Sequence, residues 1–195
     1  MKKTALILIL SSAVLGVFAQ KNNTVGFAKE NILVTGAIAF SNTDYGNDTK
    51  TTDFKLAPSI GYFLTNKVAM GVNFGFGNET SKDGISTTQD NDMVELGAYA
   101  RYYYSPAKAF SIFNQVGVSY VTTNDRIAKL KNNSFSFHFA PGMNYFLSEN
   151  VAIQATLGSI SYSTAKDDTK GAKSTSVLGV NLDLTAISFG LNYKF

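Results

Sequence analysis

In eight separate runs of this chain apolar residues fall at every second position, and no apolar set contains Asp, Glu, Lys or Arg. Side chains two apart share one face of a strand, so each run describes a strand with one greasy and one small or polar face. The first, Ile32 to Ser41, sets Ile32, Val34, Ile38 and Phe40 against Thr35, Ala37, Ala39 and Ser41. In the second, Asp53 to Tyr62, Phe54, Leu56, Pro58, Ile60 and Tyr62 oppose Asp53, Lys55, Ala57, Ser59 and Gly61. The third, Val68 to Gly77, carries Met70, Val72, Phe74 and Phe76; the fourth, Val94 to Tyr103, opposes Val94, Leu96 and Tyr102 to Glu95, Tyr99 and Arg101.

The remaining runs are less regular. In the fifth, Phe110 to Val121, Asn114 shares the apolar face and Phe113 falls among the polar set, which a β-bulge would repair. The sixth, Ser134 to Tyr145, aligns Phe135, Phe137, Phe139, Met143 and Tyr145 opposite Ser136, His138, Ala140 and Asn144. The seventh begins at Val151 and blurs after Leu157. The eighth starts at Leu178 and slips phase at Thr185-Ala186, where a bulge would return Ile187 onward to the same face.

Eight two-faced strands imply an all-β fold, an eight-stranded antiparallel up-and-down barrel. A soluble ligand-binding barrel would turn its polar face to water, and that face should be rich in Lys, Glu and Thr. Here it is mostly Gly, Ala and Ser with a few charges, which suits a crowded interior. If the apolar face meets lipid, a charge near mid-bilayer costs roughly 2–4 kcal/mol, which accounts for the clean sorting. Strands of about ten residues also match a tilted transmembrane strand. The transmembrane barrel is therefore the expected fold.

Both ends of the chain fit export to a membrane. Lys2 and Lys3 precede an apolar stretch from Ala5 to Phe18, and Ala19 ends a suitable cleavage site, the pattern of a secretory signal peptide over residues 1–19. Cleavage leaves fifteen basic against fourteen acidic residues, a net charge of +1 and no basic footprint for nucleic acid. No cysteine is present, so disulfides and thiolate metal sites are excluded. At the other end, Phe189, Leu191, Tyr193 and Phe195 alternate with Gly190, Asn192 and Lys194 up to the last residue. This tail resembles the C-terminal assembly signal of Gram-negative outer-membrane barrels.

Connections alternate short and long. Leu64 to Lys67, Ser105 to Ala107 and Leu147 to Asn150 are short; Asn42 to Thr52, Asn78 to Asp92, Thr122 to Asn133 and Ser163 to Ser174 read as long polar loops. Short periplasmic turns and longer outer loops are the usual asymmetry of such barrels. Tyr62, Tyr102, Tyr104, Tyr145, Tyr193 and Phe195 fall at the periplasmic strand ends as an aromatic girdle; Phe40, Phe54, Phe76, Tyr120 and Phe135 are candidates for the outer one. Residues 54–75 are echoed 83 positions later, from Phe137 to Gly158, as one hairpin solution used twice. The echo places Pro58 and Pro141 inside strands, where a missing N–H is hard to accommodate in a closed sheet.

With these features the chain from residue 20 to 195 resembles the eight-stranded outer-membrane β-barrel family of the OmpX and OmpA-transmembrane type, a porin-like outer-membrane β-barrel domain. The resemblance implies a Gram-negative outer membrane, lipid as surroundings, and periplasmic chaperones and the barrel-assembly machinery as partners for the final strand. With nothing after Phe195, a peptidoglycan-binding domain of the OmpA kind is not expected.

An eight-stranded barrel is only wide enough for side chains to fill it. Lys55, Glu95, Arg101, His138 and Asp183 are expected inside, where charges need partners. A polar plug is the first reading of that network and a narrow ion path the second. Ser136 and His138 share a strand face at a spacing that resembles lipid A deacylase barrels, but they face inward with no obvious acidic third member. Asp44/Asp48 and Asp90/Asp92 could touch a divalent ion, although neither pair forms an organised calcium loop. The expected function is a non-enzymatic envelope or surface role without cofactor. A small channel is the alternative, and a lipid-modifying enzyme the third reading.

Overall fold

The computed structural model describes residues 25–46, 48–169, 171–181 and 188–195. Ten strand segments are present among the described residues: β1 Ile32–Asp44, β2 Thr49–Phe63, β3 Val68–Asp83, β4 Ser86–Tyr103, β5 Phe110–Asp125, β6 Leu130–Phe146, β7 Val151–Thr156, β8 Ser159–Asp167, β9 Thr175–Asn181 and β10 Ser188–Lys194. Consecutive segments β1 to β6 pair antiparallel with their neighbours. Both β7 and β8 pair with β6, so together they make one stave. Likewise β9 pairs with β8, while β10 pairs with β7 and with β1. The β1–β10 ladder, from Leu33↔Lys194 to Gly36↔Leu191, closes the sheet. The result is the eight-stranded antiparallel barrel expected from the alternation.

Three irregularities resolve in physical terms. The seventh stave blurs because it is broken at Leu157 and Gly158, the latter at φ 62°, where β6 exchanges β7 for β8 as partner. Pro141 sits at that exchange and accepts the Leu157 amide at 2.9 Å through its carbonyl. Across from Pro58 the β2–β3 register passes from Leu56↔Phe76 to Ser59↔Asn73, so each proline occupies a gap in a ladder that an N–H would have filled. No bulge repairs the fifth stave: β4–β5 pairing runs unbroken from Asn91↔Asp125 to Tyr103↔Phe113. Phe113 therefore points into the barrel, fully buried. The phase slip at Thr185-Ala186 lies outside the described residues.

The expected long loops need correction. Most of the residues assigned to them extend the strands, and the β3–β4 connection shrinks to Gly84 and Ile85. Thr, Ser and Asn tolerate extended backbone and pair across strands, as in Thr51 with Ser81 at 2.9 Å and Thr122 donating to Asn133 at 2.9 Å. A tilted strand crosses a bilayer with about 9–11 residues. With eighteen residues, β4 rises well above it as part of a hairpin crown.

Candidate functional site

The barrel interior is built in layers, and its lowest layer is aromatic. Phe27, on the segment before β1, enters the periplasmic mouth and is 2% exposed. Its ring stacks on Phe63 at 4.7 Å between centroids and meets Phe146 at 4.8 Å and Tyr103 at 5.2 Å. Phe113 adjoins Tyr103 at 5.3 Å, and Leu33, Ala69 and Ala152 fill the remaining space. Several bonds tie the strap, two of them beside the ring. The Phe27 amide donates to the Pro106 carbonyl at 2.7 Å, and Lys194 Nζ donates to the Gly26 carbonyl at 2.8 Å. Gly26 lies at φ 106° with a Cβ position only 2.5 Å from the Pro106 oxygen, so a side chain there has neither the conformation nor the space.

Above the aromatic layer, a hydrogen-bonded floor crosses the lumen. Arg101 on β4 is 5% exposed, and its guanidinium lies between the rings of Tyr99 and Phe113, at 4.6 and 4.7 Å. Its Nε donates to Gln115 on β5 at 2.6 Å, and Nη1 donates to Gln154 on β7 at 2.7 Å. Asn192 on β10 donates to Asn144 at 2.7 Å and accepts from the Thr35 hydroxyl at 2.7 Å. Gln115 in turn meets His138 Nε2 at 3.2 Å. Asn192 also donates to Gln154 at 3.3 Å, so one network reaches from β1 through β10, β7 and β4 to β5 and β6.

A polar cavity of about 230 Å³ lies against this floor, bordered by Thr35, Ser59, Asn73, Glu95, Tyr99 and His138 among others. Glu95 accepts from Asn73 at 3.1 Å. The hydroxyl end of Tyr99 reaches over Gly61 and Gly71, where added Cβ atoms would stand 2.6 and 2.5 Å from it. Higher still, Lys55 lines a second, smaller hollow with Asp53, Glu79 and Asn91.

The candidate interior charges are thus spread through the barrel. Arg101 and His138 join one network through Gln115, Glu95 borders the same cavity, and Lys55 stands apart from them. No ion pair links them among the described residues; the partners of Arg101 are two neutral amides and the Tyr103 hydroxyl at 3.4 Å. Asp183 lies outside the described residues. Of the tail residues, Phe189, Leu191 and Tyr193 are exposed on the outer wall, and Phe195 packs on Tyr193 at 4.6 Å.

Ser136 and His138 do not meet. Ser136 Oγ bonds Ser119 Oγ at 2.7 Å, whereas His138 turns to Gln115. A nucleophile and its base need a direct hydrogen bond, so the spacing alone makes no dyad. The acidic pairs have their own cations. Asp44 meets Lys50 at 3.1 Å, while Asp90 and Asp92 both meet Arg126, Asp90 at 3.4 Å, and both accept from Asn78.

The aromatic layer was the part of the interior missed by reading the inward face as small and polar. Its signal was present in the doublets Tyr62-Phe63, Tyr102-Tyr103 and Tyr145-Phe146. In each, the first ring faces outward at the girdle and the second is buried in the mouth.

Among solved structures, the chain is similar to the outer membrane protein OprG from Pseudomonas aeruginosa, at 19% identity and a TM-score of 0.54, covering 87% of this chain and 98% of that one. Neisserial surface protein A is similar at 17% identity and a TM-score of 0.46, covering 85% of this chain and 96% of that one. No curated protein matches. At such identities the likeness concerns the fold alone. The family described as outer membrane protein beta-barrel domain matches residues 6–195, and the chain belongs to that family.

Proposed function

We propose that this outer-membrane barrel is a non-conducting, non-enzymatic scaffold that holds its hairpin crown at the cell surface for envelope integrity, adhesion or surface interaction. The observation that carries this reading is the double closure of the lumen. Phe27 and its neighbours fill the periplasmic mouth, and the floor centred on Arg101 crosses the barrel above them. Opening a path would require a buried guanidinium and the amides it binds to give up their bonds. The separate partners of Ser136 and His138 support a role without catalysis.

In this reading residues 1–19 are removed on export. The alternating tail ending at Phe195 then directs the chain to periplasmic chaperones and the assembly machinery. The test is conductance of the purified, folded protein in planar bilayers. Silence is the expected result; steady single-channel steps in the nanosiemens range overturn the scaffold reading in favour of a channel.

A further inference from the structure

Arg101 leaves part of its guanidinium unused. Nε and Nη1 bond Gln115, Gln154 and the Tyr103 hydroxyl, but Nη2 meets no acceptor among the described residues. Nor is Nη2 one of the atoms buried without a partner, so its N–H groups are open to the cavity that Arg101 borders. Glu95 brings the opposite charge to the same cavity. Its Oε1 accepts from Asn73 at 3.1 Å, while Oε2 has no donor among the described residues. Each charge is half used, and no ion pair within 4.0 Å joins the two.

The two groups lean toward each other without meeting. The guanidinium lies against the ring of Tyr99, two residues above Arg101 on β4. The Glu95 carboxylate reaches down to Asn73, the register partner of Gly97. Two residues of strand, about 7 Å, separate those levels, and Arg101 extends across the lumen toward β7 as well. His138 stands at the lower level, in register with Gly117 and through it with Tyr99. Because Gln115 accepts from Arg101 through Oε1, its amide nitrogen is the end that meets His138 Nε2. That nitrogen can only donate, so Nε2 accepts and the imidazole proton sits on Nδ1, a further donor with no acceptor among the described residues. The other inward charges lie elsewhere. Asp53, Lys55 and Glu79 line the higher hollow, and Lys194 is held by Gly26 in the mouth below.

We propose that this cavity binds a short-chain zwitterion, its carboxylate on Arg101 Nη2 and its ammonium on Glu95 Oε2. The sign of the charges selects that class. A simple anion would gain Arg101 but face Glu95 across the same space, and a simple cation would meet the reverse. A molecule carrying both charges, separated by a few carbon atoms, satisfies both walls at once. The roughly 230 Å³ of space holds a compact ligand of this kind and no large one. This assignment goes beyond the scaffold role and holds whether or not the barrel conducts.

The test is isothermal titration calorimetry of the purified, folded barrel in a non-ionic detergent with γ-aminobutyrate, butyrate and butylamine. The wild type should bind γ-aminobutyrate at least about tenfold more tightly than either single-charge analogue, since each analogue lacks one charge-assisted contact. Glu95→Gln, whose amide can still accept from Asn73, should weaken γ-aminobutyrate about tenfold and strengthen butyrate, a reversal that loose packing would not produce. Lys55→Gln, in the separate hollow, should change neither. No binding of γ-aminobutyrate at millimolar concentration, equal binding of γ-aminobutyrate and butyrate, or undiminished binding by Glu95→Gln overturns the site. If Glu95→Gln fails to fold, the three ligands on the wild type still decide.

Discussion

Arg101 Nη1 and Gln154 Oε1, 53 residues apart on β4 and β7, lie 2.7 Å apart across the lumen. This bond is buried, its companion from Nε to Gln115 at 2.6 Å is partly so, and both are charge-assisted. Replacing Arg101 by Met leaves both amide oxygens short of a donor and should cost about 2–4 kcal/mol of folding stability. Lysine, which has no planar fork, should recover less than half of the loss. Urea titration of refolding into detergent or vesicles measures both. An Arg101→Met barrel as stable as the wild type would remove the floor from any account of the closed lumen.

Phe27 contributes to the same closure from outside the sheet. Its fully packed ring predicts a loss of about 3 kcal/mol for Phe27→Ala, with Phe27→Leu intermediate. The measurement is the midpoint of the heat-dependent shift in gel mobility. Because the strap is no part of any ladder, the far-ultraviolet spectrum of β structure should stay unchanged.

The outer wall gives a prediction that depends on height. Phe74 faces outward near the middle of β3, and Thr80 lies six residues higher on the same strand. Phe74→Arg should destabilise the barrel by about 2–4 kcal/mol, whereas Thr80→Arg should cost less than about 1. Refolding into vesicles gives both numbers, and equal costs would contradict the placement of the apolar band.

At the crown, Asp44 carries a pH dependence. The Gly46 amide, donating at 2.9 Å, and then the Lys50 ammonium hold its carboxyl below the usual range. A lowered folded value means that the turn's extra order is present above the ordinary aspartate range. It is lost as pH falls through the lower, folded value. The protection of the Gly46 amide relative to its intrinsic exchange rate at each pH should therefore be higher near neutrality and fall in strong acid, and Asp44→Asn should show the lower protection at neutral pH.

The strands and their facing were legible because lipid demands a strict period of two, which no competing signal disturbed from Val68 to Gly77 or from Ser134 to Phe139. Reading stopped where polar side chains continued the same extended backbone. Above Asn78 and Asp92 there is no apolar face to count, and nothing in the residue pattern separates hairpin from loop. The candidate site was half legible. Arg101 stood out as a charge on an inward face, but its partners Gln115 and Gln154 are common residue types without pattern. Phe113 looked like an error of phase because an aromatic ring inside a barrel was not expected. Gly142 makes room for it, since a Cβ there would lie 2.3 Å from the ring.

The bond from Lys194 to Gly26 joins positions 168 residues apart, one on the last strand and one on the strap that seats Phe27. The last strand thus grips the strap directly, so a barrel whose final strand is unpaired lacks one of the bonds that seat Phe27 in the mouth.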